Sequence, residues 1–151
     1  MRSSLAGLDR VSLAVDNLEQ ARRSFEALGF TLASRSRDIG QGTGTYRIVM
    51  PGVAGDGCAL ELLAQIDAHE PDAALAARLS DQGEGLMTLS LRTQDAEAAQ
   101  AELDAPNTPR QVFGTIDRDG NAHMARFTLL TLLAGQGPRP SLGAIEHGTA
   151  D

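Results

Sequence analysis

Two rhythms of apolar and polar positions alternate along this chain. "VSLAV" (11–15) is apolar and rich in β-branched residues, and it reads as a strand. Asp16 and Asn17 follow, and either offers a side-chain oxygen to the free N–H groups of a helix start. From about Leu18 to Leu28, Leu18, Ala21, Phe25 and Leu28 recur at helical spacing, while Glu19, Arg22, Arg23 and Glu26 face water. Gly29 is placed to end that helix in the left-handed conformation. "FTLAS" (30–34), "YRIVM" (46–50) and "CALELLA" (58–64) read as further strands. Between them lie a polar, glycine-rich loop at 35–45 and a "PGVAGDG" turn at 51–57. The loop is not a phosphate loop, because no Gly-Lys-Ser/Thr follows and no helix opens from it. Module one, about 7–64, therefore reads β-α-β-β-β.

Residues 65–83 link, with a short helix in "EPDAALAARL" and Pro71 near its first turn, where the missing N–H costs nothing. Then the pattern restarts. "TLSLRTQDAEAAQAELDA" (88–105) repeats "RVSLAVDNLEQARRSFEA" (10–27) at an offset of 78, the step from Arg10 to Thr88. Ser12 meets Ser90, Leu13 meets Leu91, and Asn17 meets a second capping residue, Asp95. "RQVFGTI" (110–116) and "HMARFTLLTLL" (123–133) read as strands around a hairpin turn centred on Asp119-Gly120. Module two, about 84–134, is then β-α-β-β, with the last strand serving as two or a fourth strand lost, and 135–151 reads as an irregular tail. A repeated unit of about 75 residues is too long for a solenoid and indicates one internally duplicated domain spanning 1–151.

Strand parity gives the two faces different characters. Val11, Leu13 and Val15 share one face, as do Leu89 and Leu91, and these pack on helices. Arg10 and Ser12 take the other, as do Thr88, Ser90 and Arg92. An apolar face and a small, polar face call for helices on one side of the sheet and a wet concavity on the other.

Composition narrows the function. A net charge of -7 argues against a nucleic-acid partner, and 3% aromatic residues with no Trp give little for bases to stack on. No run approaches the length of a membrane span, and "MRSSLAGLDR" lacks the apolar core of a signal peptide. A single cysteine, Cys58, excludes an intrachain disulfide and a multi-cysteine zinc site, and a reducing, cytoplasmic setting is expected. Cys58 has no base beside it and reads as a small core residue. His69, His123 and His147 are scattered, with no metal-binding spacing, and read as linker, hairpin and tail positions.

The segments "LDRVSLAVDNLEQARRSFEALGF", "GTGTYRIVM", "ALELLA" and "EGLMTLSLRTQDAEAA" together resemble the vicinal-oxygen-chelate superfamily, and within it the glyoxalase-like branch. The resemblance covers roughly 7–134. It implies an α+β fold, in which two β-α-β-β-β modules form a half-barrel pocket with helices on the outer face. It also implies a divalent metal, bound by a first-strand residue and a last-strand carboxylate from each module. Here those positions read Arg10, Glu61, Thr88 and a stretch, "RFTLLTLL", without any carboxylate. Only Glu61 matches, and an arginine cannot ligate a metal because it stays protonated and offers no lone pair. No metal site of the usual form is expected, with a divalent cation at a relocated site as the alternative.

Arg10 and Glu61 are therefore the candidate catalytic pair, expected to form an ion pair whose guanidinium stands where the metal's charge would be and can hold neighbouring oxygens. The competing expectation is a solvated Arg10 at a strand end. Ser12, Thr88, Ser90, Arg92 and Tyr46 are the candidate substrate-binding residues; of Tyr46 and Arg47, one must point inward. Glu146 and His147 either fold back over the pocket or belong to the tail. Relatives of this branch continue past such a histidine, so a shortened chain and a naturally short member are both open. Two function classes follow: a metal-free small-molecule-binding protein, like drug-sequestering resistance proteins, or a lyase or dioxygenase acting on vicinal oxygens. The expected partner is a small-molecule ligand, with no nucleic acid and no membrane. A homodimer is also expected, because an incomplete last module would gain from pairing.

Overall fold

The computed structural model describes residues 3–50, 58–118 and 121–148. The elements run β1 (Leu5–Ala14), α1 (Leu18–Ala27), β2 (Thr31–Leu32), β3 (Ser36–Asp38), β4 (Thr43–Val49), β5 (Ala59–Gln65), α2 (Ala73–Gln82), β6 (Gly85–Thr93), α3 (Ala96–Leu103), β7 (Arg110–Arg118), β8 (Asn121–Leu133) and β9 (Ser141–His147). The fold is mixed α+β. The expected turns at 51–57 and at Asp119-Gly120 lie outside the described residues.

Helix boundaries follow the local chemistry. Asn17, not Asp16, caps α1, its side chain accepting from Gln20 N, and Gly29 takes φ +97° just past the end. Asp95 does the same for α3 through Ala98 N. Asp72 caps α2 through Leu75 N, so Pro71 precedes the cap instead of sitting in the first turn.

Two expectations are corrected. The glycine-rich stretch at 35–45 is no simple loop: Ser36–Asp38 form β3 and Thr43 begins β4. The described part of the expected tail, 135–148, is not irregular throughout either. Ser141–His147 form β9, which pairs parallel to β6 and antiparallel to β8. Burying polar backbone between two neighbours requires those ladder bonds, and the strand's alternation is masked in the sequence by Gly143 and Ala144. Module two thus reads β6-α3-β7-β8-β9, complete within one chain, which removes the reason given above for expecting a second copy.

The sheet order is β2-β4-β3-β7-β8-β9-β6-β1-β5, and β4 also pairs with β5. That last pairing closes the sheet. β2 and β3 share β4 as their neighbour, at Ile48–Val49 and Thr43–Thr45 respectively, so eight strands make the ring. The strand order thus draws one continuous, barrel-like sheet.

The apolar cores lie outside that ring. Leu18 of α1 is buried together with Val15, Ile48, Leu62 and Ala64, and Ala99 of α3 with Leu130 and Ala144. The interior of the ring is left to the opposite face of each strand, which is where the polar parity positions point. Among the described residues no helix is long and apolar enough to cross a membrane.

Candidate functional site

Arg10 lies inside the ring, on β1 between β5 and β6. Its Nη1 donates to Glu61 Oε2 at 3.3 Å, its Nε donates to Asp9 Oδ2 at 2.9 Å, and its guanidinium lies 5.5 Å over the Phe127 ring. The side chain is only 15% exposed, so this is an interior ion pair and not a solvated strand end. Glu61 is pinned a second time by Ser12, whose Oγ donates to Oε1 at 2.7 Å. Burial works against the Arg10 charge, but the charges of Glu61 and Asp9 outweigh it and hold the guanidinium more firmly protonated. The Nη2 end of Arg10 donates to no protein atom among the described residues.

Asp9 is the residue that strand parity misplaces. Leu8 pairs with Leu91 and Arg10 with Ser90, so β1 carries one extra residue against β6 there. This bulge turns Asp9 toward the face that Arg10 occupies. Asp9 is 3% exposed and serves three partners: Arg10, Arg92 Nε at 3.1 Å and His147 Nε2 at 2.7 Å. Burial pushes its carboxyl up; the bonds and charges of His147 and Arg10 more than reverse this and hold it well below the usual carboxylate range. His147 therefore belongs to the site, its ring edge-on to Phe127 at 5.4 Å. Glu146 instead turns to α3 and accepts from Ala96 N at 2.8 Å.

Arg10, Glu61, Phe127 and Asp38 stand between two cavities that share them as a floor. The first chamber, of about 770 Å³, is walled by Asp9, Arg92, His147, Arg47 and Thr45. The second, of about 810 Å³, takes Ser12, Thr88 and Ser90. The candidate residues are thus brought together except one. Tyr46 points out of the ring, its hydroxyl donating to Glu19 Oε1 at 2.8 Å, and the inward residue of that pair is Arg47. On β4 the residue opposite Glu61 is Arg47, and directly opposed residues share a face. Thr88 is tied to Ser141, with 2.9 Å between hydroxyl oxygens.

Asp38 was legible only as part of a polar loop. It is drawn inward because β3 wedges between β4 and β7, where Thr43 Oγ1 donates to it at 3.0 Å. Burial, followed by the charge of Glu61 against the opposing Thr43 bond, pushes its carboxyl up. His69 is exposed in the 65–72 connection, Cys58 is exposed before β5, and His123 is exposed on β8, so none of them joins the site.

A family model described as a glyoxalase-like domain matches residues 8–151. No curated protein matches the chain. Among solved structures, methylmalonyl-CoA epimerase from Mycobacterium tuberculosis is 20% identical, with a TM-score of 0.65 over 99% of this chain and 93% of that one. A variant of the Streptomyces coelicolor methylmalonyl-CoA epimerase in complex with 2-nitronate-propionyl-CoA is 16% identical, with a TM-score of 0.65 over 97% and 100%. A hypothetical protein from Bacillus halodurans C-125 is 17% identical, with a TM-score of 0.65 over 94% of each chain. At these identities the likeness establishes the fold and leaves the chemistry to the site. With its α+β barrel-like sheet and a family model matched along almost its whole length, the chain belongs to the glyoxalase-like domain family.

Proposed function

We propose that this protein binds a small organic anion inside the ring without a divalent metal, holding one of its oxygens on Arg10. The observation that carries this reading is the free Nη2 end of a guanidinium otherwise locked by Asp9, Glu61 and Phe127. A preoriented donor open to the pocket is suited to a carboxylate or to adjacent oxygens. In this reading the two modules, β1–β5 and β6–β9, each supply half of the wall, as two half-barrels would.

A divalent cation fits these residues poorly. Both Glu61 oxygens are engaged by Ser12 and Arg10. The duplication places Ser90 where Ser12 stands, and the parallel partners of these residues are Gly143 and Glu61. The fourth ligand position is therefore Gly143 on β9, not a residue of "RFTLLTLL". Neither Gly143 nor Thr88 offers a carboxylate or imidazole. Among the described residues no group of three or more His, Cys, Asp and Glu lies close enough to hold a metal.

One observation favours a second, enzymatic reading. Asp38 faces the same floor, and burial raises its carboxyl above the ordinary value, the direction in which a proton-transferring carboxyl is tuned. A substrate seated on Arg10 would then exchange a proton with Asp38.

The test is calorimetry of chelator-treated protein against a panel of small mono- and dicarboxylates, with Arg10→Lys alongside. Arg10→Lys keeps the charge but lacks the forked donor. Binding that survives the chelator and weakens about tenfold or more in Arg10→Lys is the expected result. Binding that needs added divalent metal, or is indifferent to Arg10, overturns it.

A further inference from the structure

The helices cover the outside of the ring unevenly. α1 packs against β2, β4 and β5, α2 against β1, β5 and β6, and α3 against β8 and β9. On β8, α3 meets the end that carries Leu130 and Leu132. The outer face of β3, β7 and the first half of β8 is left without a helix packed over it. Its residues follow from the register. Val112 and Phe127 line the second chamber, so their chain neighbours Phe113 and Arg126 point outward. Phe113 stands opposite Arg126, and Thr115 opposite Met124. Past the end of β3, Ile39 donates its N–H to Phe113 O at 2.8 Å, which sets it beside Phe113. Ile39, Phe113 and Met124 are 46%, 44% and 47% exposed. Three large apolar side chains on adjacent strands, bare of any helix, mark a surface made for a partner.

The charges on that face say which partner. Arg126 lies at one end, level with Phe113. Asp117 lies at the other, two residues beyond Thr115 and at the rim of the first chamber. Both are exposed, and neither side chain has an ion-pair or hydrogen-bond partner among the described residues. The two unanswered charges are opposite in sign and flank the central Thr115–Met124 pair. A two-fold axis lying across the strands at that pair turns the Arg126 end of one copy onto the Asp117 end of the other. The offset between them is one strand spacing, about 4.8 Å, which an arginine spans. Both ends are answered at once, the apolar centre is buried against itself, and the contact closes after two copies.

We propose that two copies of this chain meet through the outer face of β7 and β8, with Phe113, Met124 and Ile39 at the centre and Arg126 of each copy paired with the partner's Asp117. This goes beyond the ligand reading and asks nothing of Arg10. It does not rest on an incomplete module either, since β9 completes module two within one chain.

The experiment is sedimentation velocity of the full chain over a wide concentration range. It is run on wild type, Phe113→Lys, Leu28→Lys, Arg126→Asp, Asp117→Arg, and an equal mixture of the last two. The expected result is a wild-type dimer with a dissociation constant of about 10 μM or tighter, weakened about tenfold or more in Phe113→Lys. Arg126→Asp and Asp117→Arg each place like charges across the contact and should dimerise about tenfold more weakly alone. Mixed, they restore opposite charges at both ends, and a heterodimer within about threefold of wild type should form. A monomer at every concentration, which leaves the face to a different protein, overturns the proposal. So does a dimer indifferent to Phe113→Lys, or one dissociated by Leu28→Lys at the rival apolar site, where Leu28 is 73% exposed at the end of α1. A mixture no tighter than its components overturns the pairing of Arg126 with Asp117. Should Phe113→Lys fail to fold, the mixture decides, because both reversed positions are exposed and unpaired.

Discussion

Strands β1 and β5 on one side, and β6 and β9 on the other, are the same parallel pair built twice. Ser12 stands opposite Glu61 in the first, and Ser90 stands opposite Gly143 in the second. The backbone frame repeats, but the chemistry does not. The first pair carries Arg10 and Glu61 into the interior and adds Asp9 through a bulge. The second offers Thr88 and Ser141, bonded to each other, and a glycine. At Gly143 a side chain has little room, because a Cβ would come 3.0 Å from Leu130 O. One copy has concentrated the charges and the other has given up its side chains. The interior is therefore asymmetric, and only one side of the floor can be charged at its centre.

The largest expected effect breaks the charged half. Arg10→Met leaves Asp9 and Glu61 in the interior without their shared cation, and unfolding free energy should fall by about 3–5 kcal/mol in chemical denaturation. Thr88→Val, its counterpart in the other half, loses one hydroxyl bond and should cost about 1 kcal/mol. Equal losses at the two positions would end the asymmetry claim.

The next effect tests the emptied half. Gly143→Ala pushes a Cβ toward the Leu130 carbonyl and should cost about 1–3 kcal/mol as overpacking. A neutral or stabilising Gly143→Ala in the same denaturation series would mean that a side chain was always admissible there.

A smaller effect appears with pH. The Asp9 carboxyl is lowered in the folded state, so its contribution is complete above the ordinary carboxylate range, near pH 4, and is lost as pH falls through the lowered value. Thermal denaturation between pH 2 and 6 should show this acid limb flattened in Asp9→Asn. An unchanged limb would remove Asp9 from the hub.

Asp38 has the opposite sign and the smallest effect. Its carboxyl is raised, so its contribution is present below the ordinary range and fades as pH rises through the raised value. Asp38→Asn keeps an acceptor for Thr43 and should melt slightly higher than wild type at pH 7, with no gain at pH 3. A lower melting point at pH 7 would show that the ionised carboxylate is stabilising.

The outlines of the first half were legible because they are local. Asn17, Gly29 and the Leu18–Ala21–Phe25 stripe specify α1 within a dozen residues, and the offset of 78 carries the same reasoning to Asp95 and α3. β9 was not legible in that way. Its residues, "SLGAIEH", follow a Pro/Gly-rich stretch and carry no clear alternation. They become a strand because β6 and β8 present open ladders on both sides.

What the sequence determined by itself is therefore the duplicated α+β plan and the polar inner face, since parity and repetition depend only on near neighbours; the pairing of Arg10 with Glu61 was one of two expectations, resting on the family resemblance, and the structure decided between them. Tertiary structure alone decided the rest. It closed β4 on β5, turned Asp9 inward through a bulge, drew Asp38 in from a loop, and brought His147 to Asp9 from across the chain. Each of these depends on a partner far away in sequence, and no local pattern encodes which distant strand will supply the missing hydrogen bonds.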